Sequence, residues 1–357
     1  MKTRVNYISF INVIAAVMVV MMHANSSFWT YSTKGYWAVT NVIESVGFCA
    51  VPLFFMLSGA TLIDYQKRYS TKEFFKKRFF KSVIPFLFWS VFAMLWASRK
   101  VLIAMIQGKP NEGLKWTVES VLDGIINNKF QHIYWFFIPL FCIYLIIPFF
   151  AAIPERRRVK VYSYAIVAGL IINYTIPFIL SLLKEYTGFS LYFPMSIFIS
   201  MQYLIYPLIG YVLHKQELTF KQRMVIYAIA AAGFLAFILG TYIRTRVTGK
   251  LDGLYRGYYN LPCLLYATGM FLLLKNVSSR IKSEKVNRFF AWLQGYTFPI
   301  YLIHRYLLDV FEENLHFIHI EKASLIYVFG GTILAVTLSV LITMLLRKLP
   351  VLRHVVP

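Results

Sequence analysis

About ten apolar stretches, each close to the length that crosses a bilayer, follow one another along this chain of 357 residues. A bilayer core is spanned by about 20 apolar residues in an α-helix. Helices suit lipid because they satisfy every backbone polar group within the segment. We therefore predict an all-α polytopic integral membrane protein with about ten transmembrane helices. The predicted segments are 7–27, 37–63, 83–103, 133–153, 161–182, 195–213, 224–243, 258–274, 289–310 and 323–346.

Composition agrees with this class, since 59% of the residues are hydrophobic and 15% are charged, which excludes a soluble enzyme. The segments leave little room for anything else, so we expect one membrane-embedded domain over residues 1–357 and no appended soluble domain. Cys49, Cys142 and Cys263 all fall in apolar stretches. Neither a disulfide framework nor a metal site is therefore predicted.

The 37 Lys and Arg residues outnumber the 15 Asp and Glu residues and give a net charge of +22. If the N-terminus is cytoplasmic, most of these cations fall in cytoplasmic loops and tails, so the positive-inside rule predicts that both termini are cytoplasmic. Topology and anionic lipid explain the charge better than nucleic acid does. We expect a multi-pass protein of the cell membrane, in a bacterium its cytoplasmic membrane, with the lipid bilayer as partner and no nucleic acid.

His23 lies inside the first predicted helix, and an ionisable ring at membrane depth is a candidate for function. It lies about 24 Å from the inner end of the helix, nearer the outer surface. Asn12 lies about three turns below on a similar face, so the two residues predict a polar stripe that lines a cavity. The alternative is that both side chains hydrogen-bond neighbouring helices and do no chemistry.

Glu44 lies at a similar depth in the second predicted helix, three residues after Asn41. A carboxylate at the centre of a membrane helix costs roughly 2.5–3.5 kcal/mol unless it is paired, neutral or hydrated. A His23–Glu44 pair would offset this cost, and the carboxylate would fix the imidazole tautomer while the other ring nitrogen accepts a proton from a hydroxyl. The alternative partners of Glu44 are Arg244 and Arg305.

Arg78 and Lys81 lie in a basic and aromatic run before the third predicted helix. If that helix begins early, the two cations, three residues apart, share one face. Paired cations are suited to phosphate groups, because charge-assisted hydrogen bonds to phosphate oxygens are strong. The alternative is that they are topology signals alone.

Five sequence motifs occur in a fixed order along the chain, and together they resemble the acyltransferase-3 family of integral membrane acyltransferases. The motifs are Tyr7 to His23, Val51 to Gly59, Arg78 to Lys81 with Ile84 and Pro85, Tyr134 to Phe137, and Tyr296 to His304. The chain departs from the family pattern where it has Ser9, Asn12 and Lys81 in place of the usual Asp, Arg and Arg. Asn12 cannot neutralise a phosphate, which leaves more of that work to the loop cations.

The resemblance implies transfer of an acyl group, usually acetyl, from cytoplasmic acyl-CoA to a hydroxyl or amino group of a cell-envelope glycan or lipid-linked sugar. His23 is then the catalytic base or the acyl carrier. The implied roles are Glu44 beside His23 in catalysis, Arg78, Lys81 and Asn12 at the donor, and Asn41, Trp135 and His304 at the acceptor. The alternatives are that His304 braces the helix bundle and that Trp135 lies in the interfacial aromatic belt. Since some relatives carry a further hydrolase-like domain, we expect this chain to modify the acceptor directly or to pass the acyl group to a second protein.

Two other functions stay open at this point. In a transporter or flippase for a glycolipid, His23, Glu44 and the loop cations would relay protons or hold a phosphate. In an inactive relative that acts as a scaffold, Ser9 and Asn12 would mark the loss of activity.

Overall fold

The computed structural model describes residues 6–109, 113, 116–314 and 325–357, and within these ranges it contains helices and no strands. This confirms the all-α prediction. The α-helices are α1 (Asn6–Ala24), α2 (Tyr36–Gly47), α3 (Ala50–Leu62), α4 (Thr71–Arg78), α5 (Ile84–Ala97), α6 (Arg99–Ile106), α7 (Val118–Ile126), α8 (Phe137–Ala152), α9 (Glu155–Gly169), α10 (Ile176–Thr187), α11 (Ile205–Lys215), α12 (Phe220–Thr248), α13 (Leu261–Arg280), α14 (Glu284–Leu293), α15 (Thr297–Asn314) and α16 (Leu325–Leu346).

Eight helical stretches among the described residues are long and apolar enough to cross a membrane, as expected for a polytopic membrane protein. They are Asn6–Ala24, Tyr36–Lys67, Thr71–Ala97, His132–Ala152, Glu155–Thr187, Phe220–Thr248, Leu261–Arg280 and Leu325–Leu346. Two further predicted segments, 195–213 and 289–310, are not among them. The first holds the short helix α11, and the second holds most of α15, which carries four charged residues. The total of ten spans and the cytoplasmic termini stay predictions.

The chain forms two compact units. Unit 1 comprises residues 1–65 and 147–342, and unit 2 comprises residues 66–146 and 343–357. Unit 1 contains α1, α2, α3 and the helices from α9 to α15. The prediction of one membrane-embedded domain over residues 1–357 stays a prediction.

Helix α1 lies at the centre of unit 1, where it packs against α2, α3, α13, α14 and α15. Its buried side chains include Ile11, Ala15 and Val20, all of which are inaccessible to solvent. Near its N-terminal end the Ser9 hydroxyl donates a hydrogen bond of 2.7 Å to the Gln294 Oε1 atom. The Ser9 hydroxyl is therefore held by another part of unit 1.

Helices α3 and α11 cross in unit 1 with their backbones in contact, and glycines make this approach possible. A Cβ atom at Gly59 would lie 1.9 Å from the Pro207 carbonyl oxygen, and one at Gly210 would lie 2.0 Å from the Met56 carbonyl oxygen. Small residues let membrane helices pack this closely and gain dispersion energy. The crossing explains why every residue from 205 to 213 is buried, although α11 is too short to face lipid along a full span.

A partly buried group of charges in unit 1 joins α9 to the ends of α3 and α11. The Arg158 Nη1 atom lies 2.6 Å from the Asp64 Oδ1 atom, and the same carboxylate accepts a 2.6 Å contact from Lys215. Arg158 also donates to the backbone carbonyl oxygens of Ile153 and Ala151. Arg158 therefore links α9 to the ends of α3 and α11.

In unit 2, α4 continues into α5 through one π-helical turn, Phe79–Val83. Helix α7 begins after Thr117, whose side chain accepts a hydrogen bond from the Ser120 backbone in a capping box. The C-terminal residues are anchored as well, since the Trp89 Nε1 atom donates to the Val355 carbonyl oxygen at 2.9 Å.

Substitution of Gly210 by Ala will destabilise unit 1, because the added methyl must push α3 and α11 apart. Overpacking of this kind costs about 1–3 kcal/mol. The matched control is Gly330→Ala in α16, where the added Cβ meets nothing within 4 Å. Helix propensity makes that control neutral or stabilising by up to about 1 kcal/mol. Thermal unfolding in detergent will show a lower midpoint for Gly210→Ala alone; equal midpoints would contradict the close crossing.

Candidate functional site

Two histidines from opposite ends of the sequence meet in unit 1. The His23 Nδ1 atom lies 2.7 Å from the His304 Nε2 atom. The two rings are nearly parallel, with an interplanar angle of 9° and centroids 5.0 Å apart. Two imidazoles joined by an in-plane hydrogen bond have nitrogens about this close and ring centroids about this far apart. Helices α1 and α15 therefore join at this pair.

A backbone carbonyl fixes the tautomers of both rings. The His304 Nδ1 atom lies 2.9 Å from the Ile300 carbonyl oxygen. Because a carbonyl can only accept, His304 carries its proton on Nδ1, and in the neutral ring Nε2 is then an acceptor. His23 must donate from its own Nδ1 to that acceptor. In the neutral His23 ring the basic lone pair consequently lies on Nε2.

Glu44 does not pair with His23 in the structure. Its Oε1 atom accepts a contact of 2.5 Å from the Arg256 Nη2 atom, and both side chains are buried. The predicted His23–Glu44 pair is thus replaced by His23–His304 and Glu44–Arg256. The physical reason is that a guanidinium neutralises the buried carboxylate, whereas a neutral imidazole cannot.

The two alternative partners of Glu44 are occupied elsewhere. Arg244 contacts Glu185 at 2.6 Å and Asp252 at 3.2 Å. Arg305 contacts Asp309 at 2.8 Å and Glu312 at 3.1 Å.

Arg305 is nevertheless close to the histidine pair. Its Nη1 atom lies 3.5 Å from the His23 carbonyl oxygen. The neighbour of His304 in the sequence therefore helps to hold the end of α1.

Arg256 is a site residue that sequence reasoning missed. Its guanidinium lies over the rings of Phe28, Trp29 and Phe48, at 4.5, 4.9 and 4.6 Å from their centroids. Such cation–π contacts stabilise a desolvated guanidinium. The only available sequence signal was that a carboxylate at membrane depth needs a cation, and several arginines in the same region met that need equally well.

Asn12 and Asn41 both lie in unit 1. Asn12 is half-buried on α1, about three turns before His23. Asn41 is buried on α2, and its amide nitrogen donates to the Ile238 carbonyl oxygen at 3.1 Å. The roles predicted for them at the donor and the acceptor stay predictions.

Arg78, Lys81 and Trp135 lie in unit 2. The helix that carries Arg78 does begin early, at Thr71, and ends at Arg78. Lys81 lies inside the π-helical turn that follows, Phe79–Val83. Arg78 is half-buried, with its guanidinium over the rings of Phe74 and Tyr144 at 5.8 and 5.6 Å, while Lys81 is exposed. Trp135 is half-buried in the short turn His132–Phe136.

Within the part of the chain that the structure describes, no group of three or more His, Cys, Asp or Glu side chains is arranged to hold a metal ion.

Comparison with known proteins gives one result. A family model described as an acyltransferase domain, Acyl_transf_3, matches residues 5–344, nearly the whole chain. No curated protein and no solved structure matches the chain.

Proposed function

The chain belongs to the acyltransferase-3 family and is a membrane acyltransferase, and from this premise we propose that it moves an acetyl group from acetyl-CoA to a hydroxyl of a cell-envelope glycan or glycolipid. His23 is the catalytic base of this reaction. The observation that carries the proposal is the hydrogen-bonded chain from the Ile300 carbonyl through His304 to His23. The family match favours acyl transfer over transport of a glycolipid.

The chain of hydrogen bonds supports general-base catalysis because it assigns the basic lone pair to the Nε2 atom of His23. This nitrogen accepts the proton of the acceptor hydroxyl as the hydroxyl oxygen attacks the thioester carbonyl carbon. A new C–O bond forms, the C–S bond breaks, and the departing thiolate of CoA accepts the proton from the imidazolium. The same lone pair could attack the thioester directly, which is the acyl-carrier alternative.

His304 is a positioning residue in this scheme and does not bind the acceptor. It is fully buried on α15, and both of its ring nitrogens are used, one toward Ile300 and one toward His23. It orients the His23 ring in the way that a hydrogen-bonded third group orients the base of a catalytic triad.

The cations near the start of α5, Arg78 and Lys81, bind the phosphate groups of the donor in this proposal. The Arg78 Nε atom is buried and has no hydrogen-bond partner among the described residues. A guanidinium with spare donors suits the phosphate groups of acyl-CoA. Lys81, being exposed, adds positive charge. No metal is needed for this chemistry.

Membrane location supports the choice of acceptor. An enzyme held in the cell membrane reaches lipid-linked sugars and envelope glycans directly, and a second protein could receive the acyl group in their place. The proposal of a sugar acceptor therefore rests on the family and on the base.

His23→Ala will abolish acetyl transfer, because the base is lost. His304→Leu will lower kcat by roughly 100-fold, within the range typical of general-base catalysis, and leave the KM for acetyl-CoA unchanged. His304→Gln will be intermediate, since its amide oxygen can still accept from His23. The measurement is release of free CoA by purified protein in nanodiscs, with a crude envelope glycan fraction as acceptor.

Folded His23→Ala protein that retains full activity would contradict the proposed base. A stoichiometric burst of CoA without acceptor, absent from His23→Ala, would assign the acyl-carrier role instead. Size-exclusion profiles and thermal midpoints in detergent serve as the control for folding.

Arg78→Ala will raise the KM for acetyl-CoA about ten-fold or more, since a charge-assisted hydrogen bond contributes roughly 1.5–3 kcal/mol. The matched control is Lys76→Ala, which removes one exposed cation two residues away. Initial rates at varied acetyl-CoA measure both. Equal KM values for the two variants would show that Arg78 contributes only general positive charge.

A further inference from the structure

Helix α14 leaves two large aromatic side chains uncovered. Phe289 and Trp292 are 51 and 45% exposed. The predicted apolar segment 289–310 begins here, but α14 ends at Leu293 and a short 3₁₀ turn, Gln294–Tyr296, separates it from α15. A helix of 10 residues is half as long as the roughly 20 residues that cross a bilayer. The uncovered rings of α14 therefore belong to a short helix and not to a span.

Cations lie among these exposed rings. Residues 280–288 include four cations and one carboxylate, all of them exposed. Lys285 lies one turn before Phe289, and Arg288 lies one turn before Trp292, so each cation neighbours an aromatic ring on the helix surface. Together these four side chains occupy about 100° of the helix circumference. We name Lys285, Arg288, Phe289 and Trp292 the cation–aromatic strip.

The chemistry of the cation–aromatic strip matches an anionic phospholipid. Lys and Arg side chains make strong charge-assisted hydrogen bonds to phosphate oxygens. Exposed Phe and Trp side chains on an amphipathic helix are covered by acyl chains at the membrane interface. A water-soluble anion would leave the rings in water, and a lipid without net charge would leave the excess of cations unbalanced. One molecule with an anionic headgroup and acyl chains satisfies both halves of the strip.

Helix α14 is also linked to the two helices that carry the histidine pair. On its other side the Phe290 ring packs edge to face on Phe10 of α1, with ring centroids 4.8 Å apart. The Gln294 side chain, in the turn that follows α14, accepts the hydrogen bond from Ser9 of α1. Helix α15 begins directly after this turn. The position of α14 therefore affects the starts of both α1 and α15.

We propose that the cation–aromatic strip is a binding site for an anionic phospholipid, and that the bound lipid holds α14 against α1 and the start of α15. The headgroup phosphate accepts hydrogen bonds from Lys285 and Arg288, and an acyl chain lies on Phe289 and Trp292. In the predicted topology this lipid belongs to the cytoplasmic leaflet. The inference goes beyond the proposed function, since lipid binding requires no acyl transfer.

The test is a titration of purified protein in neutral detergent with phosphatidylglycerol, with bound lipid counted by native mass spectrometry. Phosphatidylcholine is the lipid without net charge. Glycerol 3-phosphate supplies the phosphate without acyl chains. Thermal midpoints in the presence of each ligand are the second readout.

Two double variants separate the two halves of the strip. Lys285→Gln/Arg288→Gln removes the charges, and Phe289→Gln/Trp292→Gln removes the apolar surface. All four side chains are exposed, so both variants are expected to fold.

The matched control is Arg156→Gln/Arg157→Gln, which removes two exposed cations from the start of α9. The Glu155 carboxylate beside them contacts Lys215 at the end of α11. Since the end of α11 also reaches the start of α1, the control lies at the same end of unit 1 as α14. Neither arginine has an aromatic residue three or four positions further along the helix.

We expect wild type to bind phosphatidylglycerol in preference to phosphatidylcholine. Loss of both charges will weaken the binding of phosphatidylglycerol roughly 30-fold, about five-fold for each cation. Loss of both rings will weaken it about ten-fold or more, because the acyl chain loses its apolar contact. The control will bind as wild type. Phosphatidylglycerol will raise the thermal midpoint of wild type and control more than that of either strip variant, and glycerol 3-phosphate will leave all midpoints unchanged.

Equal losses of binding in the control and in Lys285→Gln/Arg288→Gln would assign the effect to general positive charge and overturn the proposal. So would equal binding of the two lipids by wild type, or full binding by folded Phe289→Gln/Trp292→Gln. A thermal shift with glycerol 3-phosphate as large as that with phosphatidylglycerol would also overturn it, because the site would then be a phosphate site. These readouts need no substrate, so a failure of the proposed function leaves them intact.

Discussion

A buried imidazole must find partners for both of its nitrogens, and this requirement organises the candidate site. His304 meets it with a carbonyl of its own helix and with His23. Since the carbonyl cannot donate, the direction of every hydrogen bond in the chain follows from it. One backbone oxygen, Ile300 O, thus determines which nitrogen of His23 is basic. The packing of α15 against α1 keeps the two rings within reach of each other.

The buried carboxylate of Glu44 also needs a partner. Glu44 is neutralised by Arg256 and so is stable at its depth without the help of His23. Its second oxygen, Oε2, is buried and has no hydrogen-bond partner among the described residues.

Sequence predicted the membrane class and the all-α fold, because the length and polarity of an apolar segment depend on neighbouring residues alone. The partners of His23 and Glu44 were not predicted correctly. His304 is 281 residues away from His23, and Arg256 is 212 residues away from Glu44. Long-range pairing depends on how helices pack, which periodicity does not encode. The π-helical turn that follows Arg78 and contains Lys81 was missed for another reason, since no residue type marks such a turn.

The tautomer of His23 is measured by ¹⁵N NMR of histidine-labelled protein in nanodiscs, with His23→Asn used to assign the resonance. We expect the neutral His23 ring to carry its proton on Nδ1 and its lone pair on Nε2, and we expect His304→Leu to remove this preference. A neutral His23 ring protonated on Nε2 in the wild-type protein would contradict the proposed hydrogen-bond chain.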